Sequence, residues 1–278
     1  MAGLDIASFV GEPMDPNIIM STTANVAALG DGILQPEYWD TFALAPGKVL
    51  ERVSNAVETP HLSIKSEKLA GVELRAQFEG RLGIAGVIDQ GQVKIAFPFV
   101  KDGRSMEVKV SEVVSGSGGR EGWIVGETGG ATFRFYDVLH STGRSRYSAG
   151  ETHEFVVNAL ALSLRRVQPL PVSTDPDDGD VLLRSLYGIR MYVPQKAGNR
   201  DCGSLQSPID GPPKMLSYEE REFRCLPVSL YGEDANRPTT DLLVASKIAA
   251  ELGSSFDLGD ELAGVVWLQG YSAANLVQ

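Results

Sequence analysis

The sequence predicts a β-rich α+β fold: N-terminal helices, a small antiparallel barrel or sandwich, and a second, smaller α+β segment. Three observations carry that reading. Apolar residues recur with helical spacing up to about residue 60 and then alternate with period 2. The 278 residues include 30 Gly and 15 Pro, which implies many turns. A phrase of an aromatic residue, two others, Gly and an acid occurs twice, each time ahead of an apolar run. It reads Tyr147 to Glu151 before 155–164, and Phe256 to Asp260 before 265–268. Gly takes positive φ at no steric cost and the acid keeps the turn in water, so the phrase is a reversal feeding a buried strand. The first copy follows an Arg-rich turn and the second a helix-like run. On that ground the sequence reads as one turn solution used twice rather than as a duplication.

Asp15 as N-cap and Pro16 at the first helical position, with Ile18, Ile19, Val26, Ala27 and Leu29 on one stripe, predict a helix over 16–29 that Gly30 ends. Residues 36–40 open a short second turn. Val49, Leu50, Val53 and Val57 give 48–57 helical spacing. Strands follow at Val72, Leu74, Ala76 and Phe78, at Val93, Ile95, Phe97 and Phe99, and at Met106, Val108 and Val110. A glycine-dense stretch then encloses Trp123-Ile124-Val125, and 132–136 and 155–164 complete the set. Short turns and no long intervening helix are the pattern of a small barrel or sandwich. Pro169, Pro171 and Pro176 among four aspartates mark a linker. Beyond it, 187–193 and 223–230 are strand-like around a loop-rich 194–216. Thr240 caps a helix carrying Leu242, Ala245, Ile248, Ala249 and Leu252 to Gly253. The expected organisation is an N-terminal helical region at 1–61, a barrel-like domain at 62–168, a linker at 169–180 and a C-terminal α+β segment at 181–278.

The formal charge is −11, placed at the ends. Residues 1–47 hold six acids and no Lys or Arg, and 231–278 hold seven acids against Arg237 and Lys247, which leaves the middle neutral. Acidic ends repel a polyphosphate, so a nucleic-acid site would have to be local to the middle. Cys202 and Cys225 have no Cys-x-x-Cys spacing and no neighbouring His. Two free thiols in a reducing cytoplasm is the default, and a single disulfide between them stays open. There is no basic leader and no apolar run of membrane-spanning length, so the expectation is a cytoplasmic protein without a membrane partner.

Standard catalytic templates fail on particular residues. Around Gly47-Lys48 a phosphate loop would need Gly at 42 and Ser or Thr at 49, where the chain has Phe42 and Val49. The run from Ser115 to Gly119 does not space into a nucleophile elbow or a dinucleotide fingerprint. No cofactor and no metal ligand set is expected. One constellation remains as an alternative: Asp137, His140, His153 and Glu154 flank a single turn between adjacent strands, where acid-base groups of a metal-assisted hydrolase could converge.

A binding face has more residues behind it. Arg120, Trp123, Arg134, Tyr136, Arg144, Arg146 and Tyr147 place cations among aromatics within 28 residues, a combination that stacks bases and neutralises phosphates. The strand spacing, the Gly-acid turn and this face resemble small Greek-key barrels of the oligonucleotide-binding type, a resemblance that covers about 100 residues and assigns no residue a role. The function expected is a non-catalytic binding or assembly module. Its partner is a protein or a second copy of the chain, with a single-stranded nucleic acid as the second partner class.

Overall fold

The structure, a computed structural model, describes residues 33, 34, 39, 42, 44, 46–144, 147–168, 188–195, 202–232, 237–253 and 255–276. The helix expected at 16–29 and the linker at 169–180 lie outside them.

The first sheet is a meander. Strands β2 (Leu62–Lys65), β3 (Val72–Glu79), β4 (Leu82–Asp89) and β5 (Gln92–Val100) pair antiparallel in chain order, and β1 (Ile33–Leu34) lies parallel to β5. Helix α1 (Pro46–Glu58), where the spacing of Val49 and Val53 predicts it, covers one face, and Arg75 Nη1 donates to the Val57 carbonyl at 2.7 Å. The opposite face carries Phe97 and Phe99, which meet Tyr136 and Tyr271 edge-on at 5.1 and 5.7 Å. Every residue of β4 is therefore buried. A strand covered on both faces shows no alternation, which is why period 2 does not reveal it.

The second sheet curls on itself. Its strands are β6 (Ser105–Ser115), β7 (Gly122–Thr128), β8 (Ala131–Asp137), β9 (Thr152–Arg166), β10 (Met191–Pro194), β11 (Cys202–Pro208), β12 (Lys214–Tyr218), β13 (Arg221–Ser229), β14 (Thr239–Ala245) and β15 (Glu261–Ser272). Strands β9, β6, β7 and β8 pair antiparallel in that order, β8 meets β15 in parallel, and β15 pairs antiparallel with β9, which closes a five-stranded barrel. Strands β15 and β9 also close a second ring. Strand β11 pairs antiparallel with β15, Ile209 bridges to Val228 of β13, β13 pairs with β14, and β14 lies parallel to β9.

The two rings are related by an approximate two-fold axis that the register makes explicit. Ala159 pairs with Leu268, and each lies nine residues after the glycine of its own turn phrase. Asn158 with Gln269 and Leu160 with Trp267 then fall symmetrically on either side, until a bulge at Val265/Val266 shifts the pairing by one residue. The turns match bond for bond. Gly150 N donates to Val110 O at 2.7 Å and Gly259 N to Ile209 O at 2.9 Å. Val110 N and Ile209 N return bonds to the carbonyls of Glu151 and Asp260, and the acid side chains accept from Ser148 N and Asp257 N. The bridge Val110 to Gly126 corresponds to Ile209 to Val228, and the pair Ile124 with Phe135 to Leu226 with Leu242. Strand β6, bulged between Val110 and Glu112, matches β11 and β12 together, which residues 210–213 separate. The repeated phrase thus marks a structural duplication, which corrects its reading as one turn solution used twice. Apolar side chains from both rings merge into one interior cluster that includes Met106, Val110, Ile124, Val157, Leu226 and Leu268.

One element differs in kind from its expectation. Thr240 does not cap a long helix: 239–245 form β14, and only α2 (Ser246–Glu251) is helical, with α3 (Ala273–Leu276) closing the described chain. Apolar residues at 242, 245, 248 and 249 suit either period, and pairing on both sides with β13 and β9 decides for strand over the first half. The loop-rich reading of 194–216 likewise gives way to β11 and β12.

Gly150 and Gly259 hold φ of 93° and 89°, and a Cβ at either would meet nothing within 4 Å. Gly150→Ala and Gly259→Ala are each expected to cost about 1–2 kcal/mol, the backbone penalty alone, as read by urea unfolding.

Candidate functional site

The aromatic members of the expected binding face form a buried seam. Trp123 and Tyr136 are register partners on β7 and β8, 9% and 3% exposed, with ring centroids 6.2 Å apart. Tyr136 also meets Phe97 of the meander sheet and, at 5.9 Å, Trp267 of β15. Their symmetry equivalents, Cys225 and Leu243, are register partners buried in the same cluster. Both rings therefore lay the same face on the meander sheet. Gln269 fastens the seam: its Oε1 accepts from Val100 N and its Nε2 donates to Pro98 O, both at 3.2 Å.

The cations point elsewhere. Arg120 forks onto Asp89 at the end of β4, with Nε to Oδ2 at 2.9 Å. Arg144 Nη1 donates to Asn275 O and its Nε lies 3.9 Å from Glu67. Arg134 is half-buried on β8. Tyr147 packs on His153 and Phe155, and its hydroxyl accepts from Asn275 Nδ2 at 2.9 Å. Arg146 lies outside the described residues. The six that are described do not share one exposed face.

Of the acid and histidine set, only Asp137 and His140 lie side by side, while His153 and Glu154 engage other partners. His153 Nε2 lies 3.0 Å from Glu151, and Glu154 accepts from the Ser105 hydroxyl at 2.5 Å. His140, in a 3-10 turn at His140–Thr142 directly after β8, has Nδ1 3.8 Å from Asp137 Oδ2 and Nε2 3.1 Å from Ser115 Oγ. Burial, and then the charge of Lys68, lower the His140 pKa to about 4, so the ring is neutral at pH 7. Among the described residues no group of three or more His, Cys, Asp or Glu side chains could hold a metal ion. Cys202 and Cys225 are free and buried.

Two buried ionic clusters were beyond sequence reading, because their partners come from distant strands. Asp241 of β14 accepts from Arg81 Nη2 at 2.8 Å and Arg104 Nε at 3.0 Å, which ties the β3–β4 turn to the second ring. Asp210, just after β11, receives Arg190 at 2.9 Å, Arg237 at 3.0 Å and the Ser229 hydroxyl at 2.5 Å. Both hold strands in place.

The surface features that sequence reasoning missed are apolar. Met191 and Val193 are 39% and 47% exposed on β10, and Met215 is 43% exposed on β12. These strands end the second sheet, each paired along one side only among the described residues. Alternation of Met191 and Val193 about buried Tyr192 was the available signal. A cleft of about 690 Å³ between α1, β3 and the β12–β13 hairpin is lined by Lys48, Arg52, His61, Glu79, Glu219 and Arg221. Its charges are spent internally: Lys48 pairs with Glu51, Arg52 with Glu219, and Arg221 donates to Phe42 O.

These features define a class: a β-rich protein on a closed five-stranded barrel, with one barrel face covered and, among the described residues, two strands paired along one side only. No family model, curated protein or solved structure matches the chain. No helix among the described residues is long and apolar enough to cross a membrane.

Burial alone would raise the Asp210 pKa, but hydrogen bonds from Arg190 and Ser229 and the charges of Arg190 and Arg237 hold it below its ordinary 3.8. A depressed carboxyl contributes stability above its unfolded pKa and loses it as pH falls through the folded one. Asp210→Asn is expected to cost about 3 kcal/mol at pH 7, with the gap from wild type closing below about pH 3.8 in urea titrations.

Proposed function

We propose that the chain is a binding or assembly module that works through protein contacts, adding a partner's strand at an open edge of the second sheet. The observation that carries this is the exposure of Met191 and Val193 on β10, an edge strand with no acidic residue in a chain of net charge −11. An edge strand with exposed apolar side chains is a template for β-augmentation, with alternate side chains giving specificity, and on β10 the Tyr192 carbonyl already accepts from the Tyr231 hydroxyl. Strand β12, with Lys214 and Met215, offers a second edge of the same character. Two ends on one sheet suit a second copy of the chain as partner.

A single-stranded nucleic acid is the weaker class. In ring order the barrel's strands run first, second, third, fifth, fourth, with the third and fifth parallel, which supports the oligonucleotide-binding-type reading. Such barrels bind on the face of their second and third strands. Here that face carries Trp123 and Tyr136 and lies against Phe97, so stacking there would require the meander sheet to leave. Two buried free thiols accord with a reducing, cytoplasmic setting.

Sedimentation velocity across a concentration range tests the assembly reading. The wild type is expected to self-associate, and the double variant Met191→Lys with Val193→Lys to weaken association at least about tenfold, since each places a charge at the pairing edge. A wild type that stays monomeric throughout removes the second copy as partner.

A further inference from the structure

Several buried polar atoms lack a hydrogen-bond partner, and one of them belongs to a ring that reaches an exposed serine. His140 is 8% exposed and its Nδ1 has no hydrogen-bond partner, a cost that a purely structural histidine ordinarily avoids. The ring is nevertheless held closely. Gly122 lies beneath it, where a Cβ would come within 2.1 Å of Nδ1, and Gly122 is the register partner of Ser115. A side chain at 122 would displace the imidazole from the strand pair. With glycine there, the ring crosses β7 and brings Nε2 to 3.1 Å from Ser115 Oγ on β6.

The other ring nitrogen faces a buried acid. Asp137 Oδ2 stands 3.8 Å from Nδ1, beyond a hydrogen bond, and burial and the charge of Lys68 keep the ring neutral. Asp137 itself is fixed, since Oδ1 accepts from Leu139 N at 3.1 Å. With hydrogen on Nδ1, the Nε2 lone pair faces the serine hydroxyl. Ser115 is exposed, the last residue of β6, and opens a glycine-rich loop in which Gly118 and Gly119 have φ of 71° and 67°. The order of parts is base between hydroxyl and carboxylate, the logic of an activated serine.

We propose that Ser115, His140 and Asp137 form a serine nucleophile site that takes carboxylic esters, with Ser115 and His140 catalytic and Asp137 a positioning residue. Ser115 Oγ bonds to the ester carbonyl carbon while its proton passes to His140 Nε2 and the carbonyl electron pair moves onto oxygen. Collapse of that adduct restores the carbonyl and breaks the bond to the alkoxy group, which leaves as the alcohol with the proton from His140. Water then attacks the acyl-serine in the same manner, releasing the acid and returning the proton to Ser115. The site is separate from the strand edges, so its failure leaves the assembly reading untouched.

A fluorophosphonate probe tests it, because an activated serine displaces fluoride and forms an Oγ–P bond without a known substrate. Wild-type protein is expected to take one label, placed on Ser115 by peptide mass spectrometry. Ser115→Ala should abolish it, and His140→Gln, checked by far-UV circular dichroism and size, should slow it at least about 100-fold. A folded wild type that takes no label at Ser115 overturns the proposal, as does labelling at an unchanged rate in His140→Gln. Nitrogen-15 spectra of the imidazoles give a readout independent of folding variants, and three histidines make them assignable. Hydrogen on Nδ1 of His140 in the wild type, moving towards Nε2 in Asp137→Asn, is the expected result. Hydrogen on Nε2 in the wild type would overturn the assignment.

Discussion

Everything above the meander sheet depends on one antiparallel pairing, β9 with β15, which runs through eleven residue pairs and has its symmetry centre at Ala159 and Leu268. The first half of β9 and the second half of β15 complete one ring, and the opposite halves complete the other. Neither ring closes without both strands, so neither repeat can bury its apolar face alone. The chain ties its two halves together by exchange rather than by docking finished domains. Such closure brings together residues far apart in sequence, as in the parallel pair of Tyr136 with Gln269, and predicts slow, cooperative folding.

The same pairing decides which surfaces remain for function. On one face of the pair Val157, Ala159, Val266 and Leu268 fill the ring interiors, and on the other Leu160, Trp267 and Tyr271 meet the meander sheet. The outer faces of β7–β8 and β13–β14 are consumed in the same seam. What is left is the ends of the second sheet and the turns at the ring rims. The exposed methionines and Val193 lie on the former, and Ser115 with its loop on the latter.

Legibility in the sequence followed coverage. Strands buried on one face, such as β3 and the first half of β6, announce themselves by alternation, and α1 by the spacing of Val49 and Val53. Strand β4 is hidden because both faces are covered, and β14 because its apolar residues fit two periods until neighbours choose. The duplication is masked because equivalent positions keep only their apolar class, as Val110 and Ile209 or Phe135 and Leu242 do, and because residues 210–213 split one copy of the first strand. Of the site, Asp137 and His140 are visible as near neighbours in sequence. Ser115 is 25 residues away and arrives only through two hairpins, while the burial of Trp123 and Tyr136 depends on a separate sheet.

Hydrogen exchange measured residue by residue tests the shared-pair account most directly. The amides flanking Ala159 and Leu268 are expected to exchange last, together, and at the free energy of global unfolding, since opening either strand breaks both rings. Exchange of those amides ahead of β3 and β4, or of β9 and β15 at separate free energies, would contradict it.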